Sequence, residues 1–399
     1  MTITKEQIIQ ASENYYQDAV KFRRHLHQHP ELSFEEQSTC SWVKETLSSF
    51  GIETTLIGKT GLVGLIKGNG PEGRVVALRA DMDALPIQEQ SKKDYASAVK
   101  GVMHACGHDV HTASLMTTAR ILNELRSEFS GTVKIIFQPG EERNPGGASI
   151  LIKEGVLQNP RPDAIIGQHV SPVLEVGKVG FREGKYMASS DEIRLTVRGK
   201  GGHASTPELN VDPVLVAAHI LVALQQVVSK NAGPKQPTVL SFGKVSAEGA
   251  TNVVPDHVFL AGTFRALDEK WRQKGLEHIQ SIAKGIAEGM GATVDIEISR
   301  GYPCLNNDTD LTRRLRMAAA AYMGGGNIQE LDLTLGSEDF SYYSLELPAS
   351  FYRLGTRNES KGIVSYVHTP TFDIDEQALE HGPGLMAWLA LNELNYKPK

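Results

Sequence analysis

The sequence predicts an α/β fold: a mixed sheet with helices on both faces, interrupted by an inserted ferredoxin-like α+β domain. Three observations carry this expectation. The 399 residues exceed what one hydrophobic core comfortably organises. Short apolar runs alternate with helical periodicity through the first half, as in a layered α/β sheet. Near Gly184 to Ser190 the pattern changes to a β-α-β-β-α-β succession, the order of a ferredoxin-like unit.

Taken in order, Val75-Val76-Ala77-Leu78, Val133-Lys134-Ile135-Ile136-Phe137 and Ala164-Ile165-Ile166-Gly167 read as short sheet strands. Thr112 to Leu125 places apolar residues at helical spacing and is expected to pack on the sheet as a crossover helix between the first two. The insert opens with the strand-like Glu192 to Val197, followed by a helix near Pro213 to Val228, two more strand-like runs, a helix from Glu269 to Met290 and the strand Thr293 to Ile298. After Gly301-Tyr302-Pro303 the first domain resumes through Leu311 to Tyr322 and a final helix ending near Leu394. The boundaries drawn are residues 1–187 with 301–399 for the discontinuous first domain and 188–300 for the insert.

With 40% hydrophobic and 22% charged residues, the chain reads as an ordinary folded protein. A net charge of -6 from 41 basic and 47 acidic residues gives no electrostatic ground for a nucleic acid or an anionic membrane as partner. No stretch is expected to approach membrane-spanning length, and the first residues lack an apolar signal region, so a cytoplasmic location is the expectation. Cys40, Cys106 and Cys304 are too few and scattered for a disulfide framework. Of the three, Cys106 alone has informative neighbours.

Those neighbours form His104-Ala105-Cys106-Gly107-His108-Asp109-Val110-His111, three imidazoles, a thiol and a carboxylate ahead of a helix. Imidazole and thiolate suit zinc and other first-row ions, and a loop before a helix can aim several side chains at one point. Taken singly, His104 or His111 would be ordinary. In Phe137-Gln138-Pro139-Gly140-Glu141-Glu142 two carboxylates follow an apolar strand, where Pro139 and Gly140 break the strand alternation and let both reach one site. One can bind metal while the other moves protons. His169 beyond a strand, His368 in Tyr366-Val367-His368-Thr369-Pro370, and Asp81 and Asp83 supply further donors. Together they make a plausible ligand count for two metal ions.

At these residues the sequence resembles the metallo-amidohydrolases that include hippurate hydrolase, the auxin-amino acid conjugate hydrolases and N-acyl-amino acid deacylases, relatives of aminoacylase and carboxypeptidase G. The resemblance spans nearly the whole chain, from Phe22-Arg23-Arg24-His25-Leu26-His27 and Pro30-Glu31-Leu32-Ser33 to the His368 segment. It implies that Cys106, His108, Glu142, His169 and His368 are the metal ligands, with the Cys106 thiolate bridging two divalent ions per subunit. Manganese or zinc is implied, with cobalt or nickel as alternatives. It also implies Glu141 as general base to a metal-activated water and His203, in Gly201-Gly202-His203-Ala204-Ser205, as a second catalytic group reaching the substrate carbonyl. Asn252, in Thr251-Asn252-Val253-Val254-Pro255, is implied as a substrate contact, with Arg265 and Arg300 as further contacts to the substrate carboxylate. The wider clan has a histidine two residues before the Asp81 position, where this chain has Arg79; that departure matches the hippurate hydrolase branch. Arg143-Asn144 after the glutamate pair is a smaller departure, since glycine is common there. Gly336-Ser337-Glu338-Asp339-Phe340 is also family-like, with no role assigned to its carboxylates.

The function implied is hydrolysis of the amide bond of small N-acyl amino acids, in a homodimer formed through the insert, which would act as a lid. Three alternatives stand beside it: a dipeptidase or carboxypeptidase-like hydrolase, an amidase with Cys106 as nucleophile and His108 or His111 as base, and a non-catalytic protein that binds metal and an acyl-amino acid.

Overall fold

The computed structural model describes residues 3–397, and its chain divides into two compact units. The first comprises residues up to Gly184 together with Asn306–Asp332 and Asp339 onward; the second comprises Lys185–Leu305 and Leu333–Glu338. The short piece Leu333–Glu338 joins the second unit because it is hydrogen-bonded there: Thr334 N–H donates to the Tyr186 carbonyl, and Ala188 N–H to that of Gly336.

An eight-stranded mixed sheet organises the first unit, in the spatial order Thr54–Ile57, Gly61–Lys67, Thr132–Gln138, Val75–Asp81, Ala164–Glu175, Ala349–Arg357, Val179–Phe181 and Ile328–Glu330. Its centre is parallel, with Asp81 beside Gln138 and Arg353 beside His169. The strands therefore deliver Asp81 and Gln138 at their carboxyl ends, where open α/β sheets place ligands, while His169, expected beyond its strand, lies inside it because the strand runs on to Glu175. Central strands are buried almost throughout, such as Val75–Asp81 and Thr132–Gln138, and accordingly read as apolar runs rather than alternating ones.

Lys134 is the exception inside such a run. Its amine is buried and donates to the carbonyls of Val156, Gln158 and Pro160 at 2.9, 2.7 and 2.8 Å, which satisfies all three of its protons. Burial holds its pKa down to about 8.

The crossover helix is His108–Glu124, four residues longer at its start than the apolar periodicity indicates. Its first turn is polar and spent on the site, so periodicity does not reveal it. The helix is buried nearly all round, as a helix covered on several sides must be.

The second unit is a four-stranded antiparallel sheet with two helices. Its strands Asp191–Arg198, Thr238–Ser246, His257–Ala266 and Thr293–Arg300 lie in the spatial order second, third, first, fourth. This is the ferredoxin-like arrangement the element order predicts. Asp191, buried at the start of the first strand, is gripped by Arg272 through two nitrogens at 2.8 and 2.6 Å. Arg272 also donates to the Gly301 carbonyl at 2.9 Å, so one guanidinium ties the entry of this unit to its exit.

The helix Pro213–Gln226 carries a correction. Continued by a π-helical turn to Asn231, it forms a 19-residue segment long and apolar enough, by length and composition, to cross a membrane. The expectation that no stretch approaches that length does not hold. Its inner face, Val216, Ala217, Ile220 and Leu224, is buried in the core of this unit, while Val214, Leu215 and Val222 on the other side are exposed. Apolar residues on both faces, rather than one, produce the long hydrophobic run.

Candidate metal centre

The candidate site is assembled in the first unit by the turn at Cys106, the start of the helix at His108, the ends of the strands Val75–Asp81 and Thr132–Gln138, the middle of the strand Ala164–Glu175 and the loop that carries His368. Gly107 caps the helix in the left-handed region at φ 81°, and a Cβ there would stand 2.5 Å from Val170 Cγ2. Glycine at this position lets the chain turn tightly, so that Cys106 and His108 on either side of it serve one cluster.

Three donor groups converge: Cys106 with His108 and His169, Cys106 with Glu142 and His368, and His108 with Glu141 and Glu142, the ligand atoms of each lying within 4.8 Å of one another. Cys106 Sγ is 3.4 Å from His169 Nε2 and 3.3 Å from His368 Nε2; Glu142 Oε1 is 3.0 Å from His368 Nε2 and 4.0 Å from His108 Nε2. Donors 2.0–2.3 Å from a tetrahedral ion stand roughly 3.3–3.8 Å apart, which these separations bracket. One buried atom supports the same reading: His108 Nε2 has no hydrogen-bond partner, a cost that an ion would remove. The thiol, imidazole and carboxylate set fits a first-row divalent ion.

The imidazoles are oriented from behind, as metal-binding histidines are. His108 directs Nδ1 to Asp83 Oδ1 at 3.1 Å, and His169 directs Nδ1 to the Val170 carbonyl at 2.7 Å. Each therefore turns Nε2 into the cluster. His368 sits in the left-handed region at φ 62°, a strained conformation for a residue with a Cβ. Its N–H is pinned to the Ala105 carbonyl at 2.7 Å, which ties it to the Cys106 loop.

Asp83 is the organising carboxylate. Besides His108 it accepts from the Ser33 hydroxyl at 2.6 Å and from the backbone N–H groups of Glu141 and Glu142 at 3.0 and 2.9 Å. Burial opposes its charge, but these donors hold its carboxyl below the usual range. Burial likewise opposes a proton on His108, yet the nearby Asp81 and Asp83 carboxylates hold that ring well above its ordinary value. Hydrogen bonds to Cys106 and Glu142 raise His368 to about 10. In contrast, burial first and then Arg353 keep His169 well below, and burial and Glu142 push the Cys106 thiol up.

His104 and His111 stand apart from the donors. Both ring nitrogens of His111 are engaged, Nδ1 with Asp81 and Nε2 accepting from Val170 N–H at 2.8 Å, and Asp81 is itself paired with Arg79 at 2.6 Å. Although Asp81, His108 and His111 lie close enough to hold an ion, these bonds leave His111 no free lone pair. His104 is buried with neither ring nitrogen hydrogen-bonded, and burial lowers it to about 4.

His203, Asn252, Arg265 and Arg300 all belong to the second unit. His203 is exposed, its Nδ1 accepting from the Ser205 hydroxyl at 2.8 Å, and Ala204 N–H donates to the Asn252 carbonyl at 3.0 Å. Arg265 Nη1 is buried without a hydrogen-bond partner, and burial lowers its pKa. Arg300 is exposed and donates to Gln273. Sequence reasoning left Asp339 without a role and missed Glu36. Asp339 accepts from Arg79, from Gln138 Nε2 and from Ala148 N–H; Glu36 accepts from Gly140 N–H. In sequence both look like ordinary solvated acids, and neither spacing nor periodicity marks them.

A thiolate-imidazole-carboxylate cluster at the carboxyl ends of a mixed α/β sheet, with a second carboxylate beside it, defines a metal-dependent hydrolase. Residues 77–392 match the profile described as Peptidase family M20/M25/M40. The chain is 40% identical to N-acetylcysteine deacetylase of Bacillus subtilis (strain 168), covering 96% of this chain and 98% of that one. It is 42% identical to N-acyl-L-amino acid amidohydrolase of Geobacillus stearothermophilus over 77% of this chain and 82% of that protein. Among solved structures it is similar to the YXEP protein of Bacillus subtilis, described as a dinuclear metal binding peptidase of the M20 family, with TM-score 0.82, 37% identity and coverage of 96% and 99%. The chain belongs to peptidase family M20/M25/M40, whose members hydrolyse amide bonds with the help of metal ions.

Proposed function

We propose that the protein hydrolyses the amide bond of N-acyl amino acids, releasing a carboxylate and a free amino acid. The observation that carries this reading is Glu141: buried, beside the His108 and Glu142 donors, with its backbone held by Asp83. Two relatives whose names specify N-acyl amino acid substrates support the substrate class.

Cys106, His108, Glu142, His169 and His368 would hold two divalent ions, Cys106 being common to two donor groups. Such ions, when bound, supply an acidified water and polarise a carbonyl. The chain's own contribution is to place a proton acceptor and to exclude other proton sources. Glu141 takes the proton of the attacking water and returns it to the departing nitrogen. His203 and Asn252 are proposed to meet the substrate carbonyl and carboxylate, with Arg265 and Arg300 as further carboxylate contacts.

The geometry speaks against Cys106 as nucleophile: its Sγ lies 3.4 Å from His169 Nε2 and 3.3 Å from His368 Nε2 and is shared by two donor groups, a ligand position. A carboxypeptidase-like specificity is the second reading, favoured by 38% identity to Thermostable carboxypeptidase 2 of Saccharolobus solfataricus over 94% of this chain. The experiment is hydrolysis of N-acetyl amino acids, hippurate and dipeptides by purified protein before chelation, after it, and after manganese or zinc is restored. Chelator-sensitive release from the N-acyl compounds is the expected result. Release from dipeptides alone would transfer the assignment to the second reading, and activity surviving verified metal removal would overturn both.

Dimerisation is part of the proposal. The exposed Val214, Leu215 and Val222 and the edge strand Thr238–Ser246 present apolar surface and unpaired backbone of the kind a second copy covers. A monomeric mass at working concentration would exclude it.

A further inference from the structure

Three consecutive backbone amides precede or carry the two site glutamates, and each points at a buried carboxylate. Glu141 and Glu142 donate to Asp83, as described. Gly140 N–H donates instead to Glu36 Oε1 at 2.8 Å. The same oxygen accepts Phe34 N–H at 2.9 Å, while Oε2 accepts the Thr60 hydroxyl at 2.8 Å. Glu36 is fully buried.

Gly140 needs this support. It stands in the left-handed region at φ 60°, and its Cα faces the Phe34 ring so closely that a Cβ would lie 2.2 Å from Cε1. Phe34 is itself left-handed at φ 69°. The strained Phe34 is thus pressed against a glycine whose missing Cβ leaves its backbone free to rotate, and both amides are tied to one side chain; the Phe34 strain persists only where surrounding contacts over-determine it. Burying Glu36 also costs stability, since burial and the neighbouring Asp83 raise its pKa to about 6.

We propose that Glu36 is a positioning residue for the hydrolysis assigned above: by holding the Gly140 amide, it fixes the backbone from which the Glu141 carboxylate is aimed. The kinetic part rests on Glu141 acting as the base; the mechanical part does not. Rotation at Gly140 would swing the next side chain away from the reacting water, and misplacement by about 1 Å costs roughly 100-fold in rate.

The test uses metal-loaded wild type, Glu36→Ala, Glu36→Gln and Thr60→Val, with two readouts: hydrogen exchange of the amides of residues 140–142, and kcat and KM at saturating metal. In Glu36→Ala these amides exchange at least about tenfold faster while the helix His108–Glu124 keeps its protection, and kcat falls roughly 10- to 100-fold with KM little changed. Glu36→Gln restores both, because its amide oxygen still accepts from Gly140. Thr60→Val, which frees Glu36 without removing it, gives a weaker loss in the same direction and decides the matter should Glu36→Ala fail to fold. Wild-type exchange in Glu36→Ala or Thr60→Val, or a Glu36→Gln variant as impaired as Glu36→Ala, would overturn the proposal. If the wild type cleaves no amide, the functional reading falls, and exchange alone still decides whether Glu36 holds the loop.

Discussion

Arg79 and Asp339, 260 residues apart in sequence, meet in a fully buried ion pair with Nη2 2.7 Å from Oδ1. Arg79 also donates to Asp81 Oδ2 at 2.6 Å and to Gln138 Oε1 at 2.9 Å, and Gln138 Nε2 returns to Asp339. The guanidinium thus neutralises two carboxylates at the sheet end and commits both to structure. At position 79 this chain thus carries a built-in cation. Donors for ions are then drawn from the neighbouring Cys106 and His108.

Removing one partner of such a pair leaves charge buried and uncompensated. Arg79→Met is expected to destabilise the protein by about 3–5 kcal/mol, measured by urea unfolding. Because Asp339 is one of the two carboxylates that lose their cation, the Arg79→Met/Asp339→Asn double variant should recover part of the loss, with coupling of roughly 1–3 kcal/mol. Strict additivity of the two single effects would sink the argument.

Cys106 is the donor common to two groups, so its loss should disturb both ions. Cys106→Ser replaces a soft thiolate by a hard, weakly acidic hydroxyl, a poor ligand for zinc-like ions. Metal content by plasma mass spectrometry should fall from about two ions per chain to one or fewer, with activity falling in parallel. A variant that kept its full metal complement and lost activity would instead revive Cys106 as nucleophile.

Much of this was legible in the sequence, and the boundary is physical. The apolar runs gave the sheet, and the clustering of Cys106 and His108 with Glu142 gave the kind of chemistry, because those signals are local. The local pattern alone did not choose among His104, His108 and His111, and only the family resemblance named His108, since the choice depends on where each ring's other nitrogen finds a partner: Asp83 for His108, Asp81 and Val170 for His111. Arg79–Asp339 and Glu36–Gly140 were invisible for the same reason. Each joins segments more than 100 residues apart, and no periodicity reports such a contact. The helix Pro213–Gln226 misled in the other direction, because composition does not show which apolar face is covered.

Glu36 gives a pH dependence with a defined sign. Its folded-state pKa is raised from 4.5 to about 6, burial being the larger cause and Asp83 the next. A raised acid binds its proton more tightly when folded, so its stabilising contribution is complete below about pH 4.5 and is lost as pH rises through about 6. The loss corresponds to about 2 kcal/mol. Glu36→Gln, which cannot ionise, should therefore match wild type in urea midpoint near pH 4.5 and exceed it at pH 8. Equal midpoints at both values would show that the ionised carboxylate is not penalised.

In the proposed mechanism Glu141 and Glu142, adjacent in sequence, divide catalysis from metal binding. Glu142 Oε1 is 3.0 Å from His368 Nε2, within the donor cluster that includes Cys106, whereas Glu141 Oε1 accepts from the Asp339 N–H at 3.4 Å. Glu141→Gln keeps shape and hydrogen-bonding capacity while removing the proton acceptor, and general-base loss typically costs roughly 100- to 10,000-fold. That loss should fall on kcat, with metal content and urea midpoint near wild type. Glu142→Gln should behave differently, losing metal as well as turnover. If Glu141→Gln released an ion and Glu142→Gln did not, the two glutamates would have to exchange roles, and the base would be the residue nearer His368.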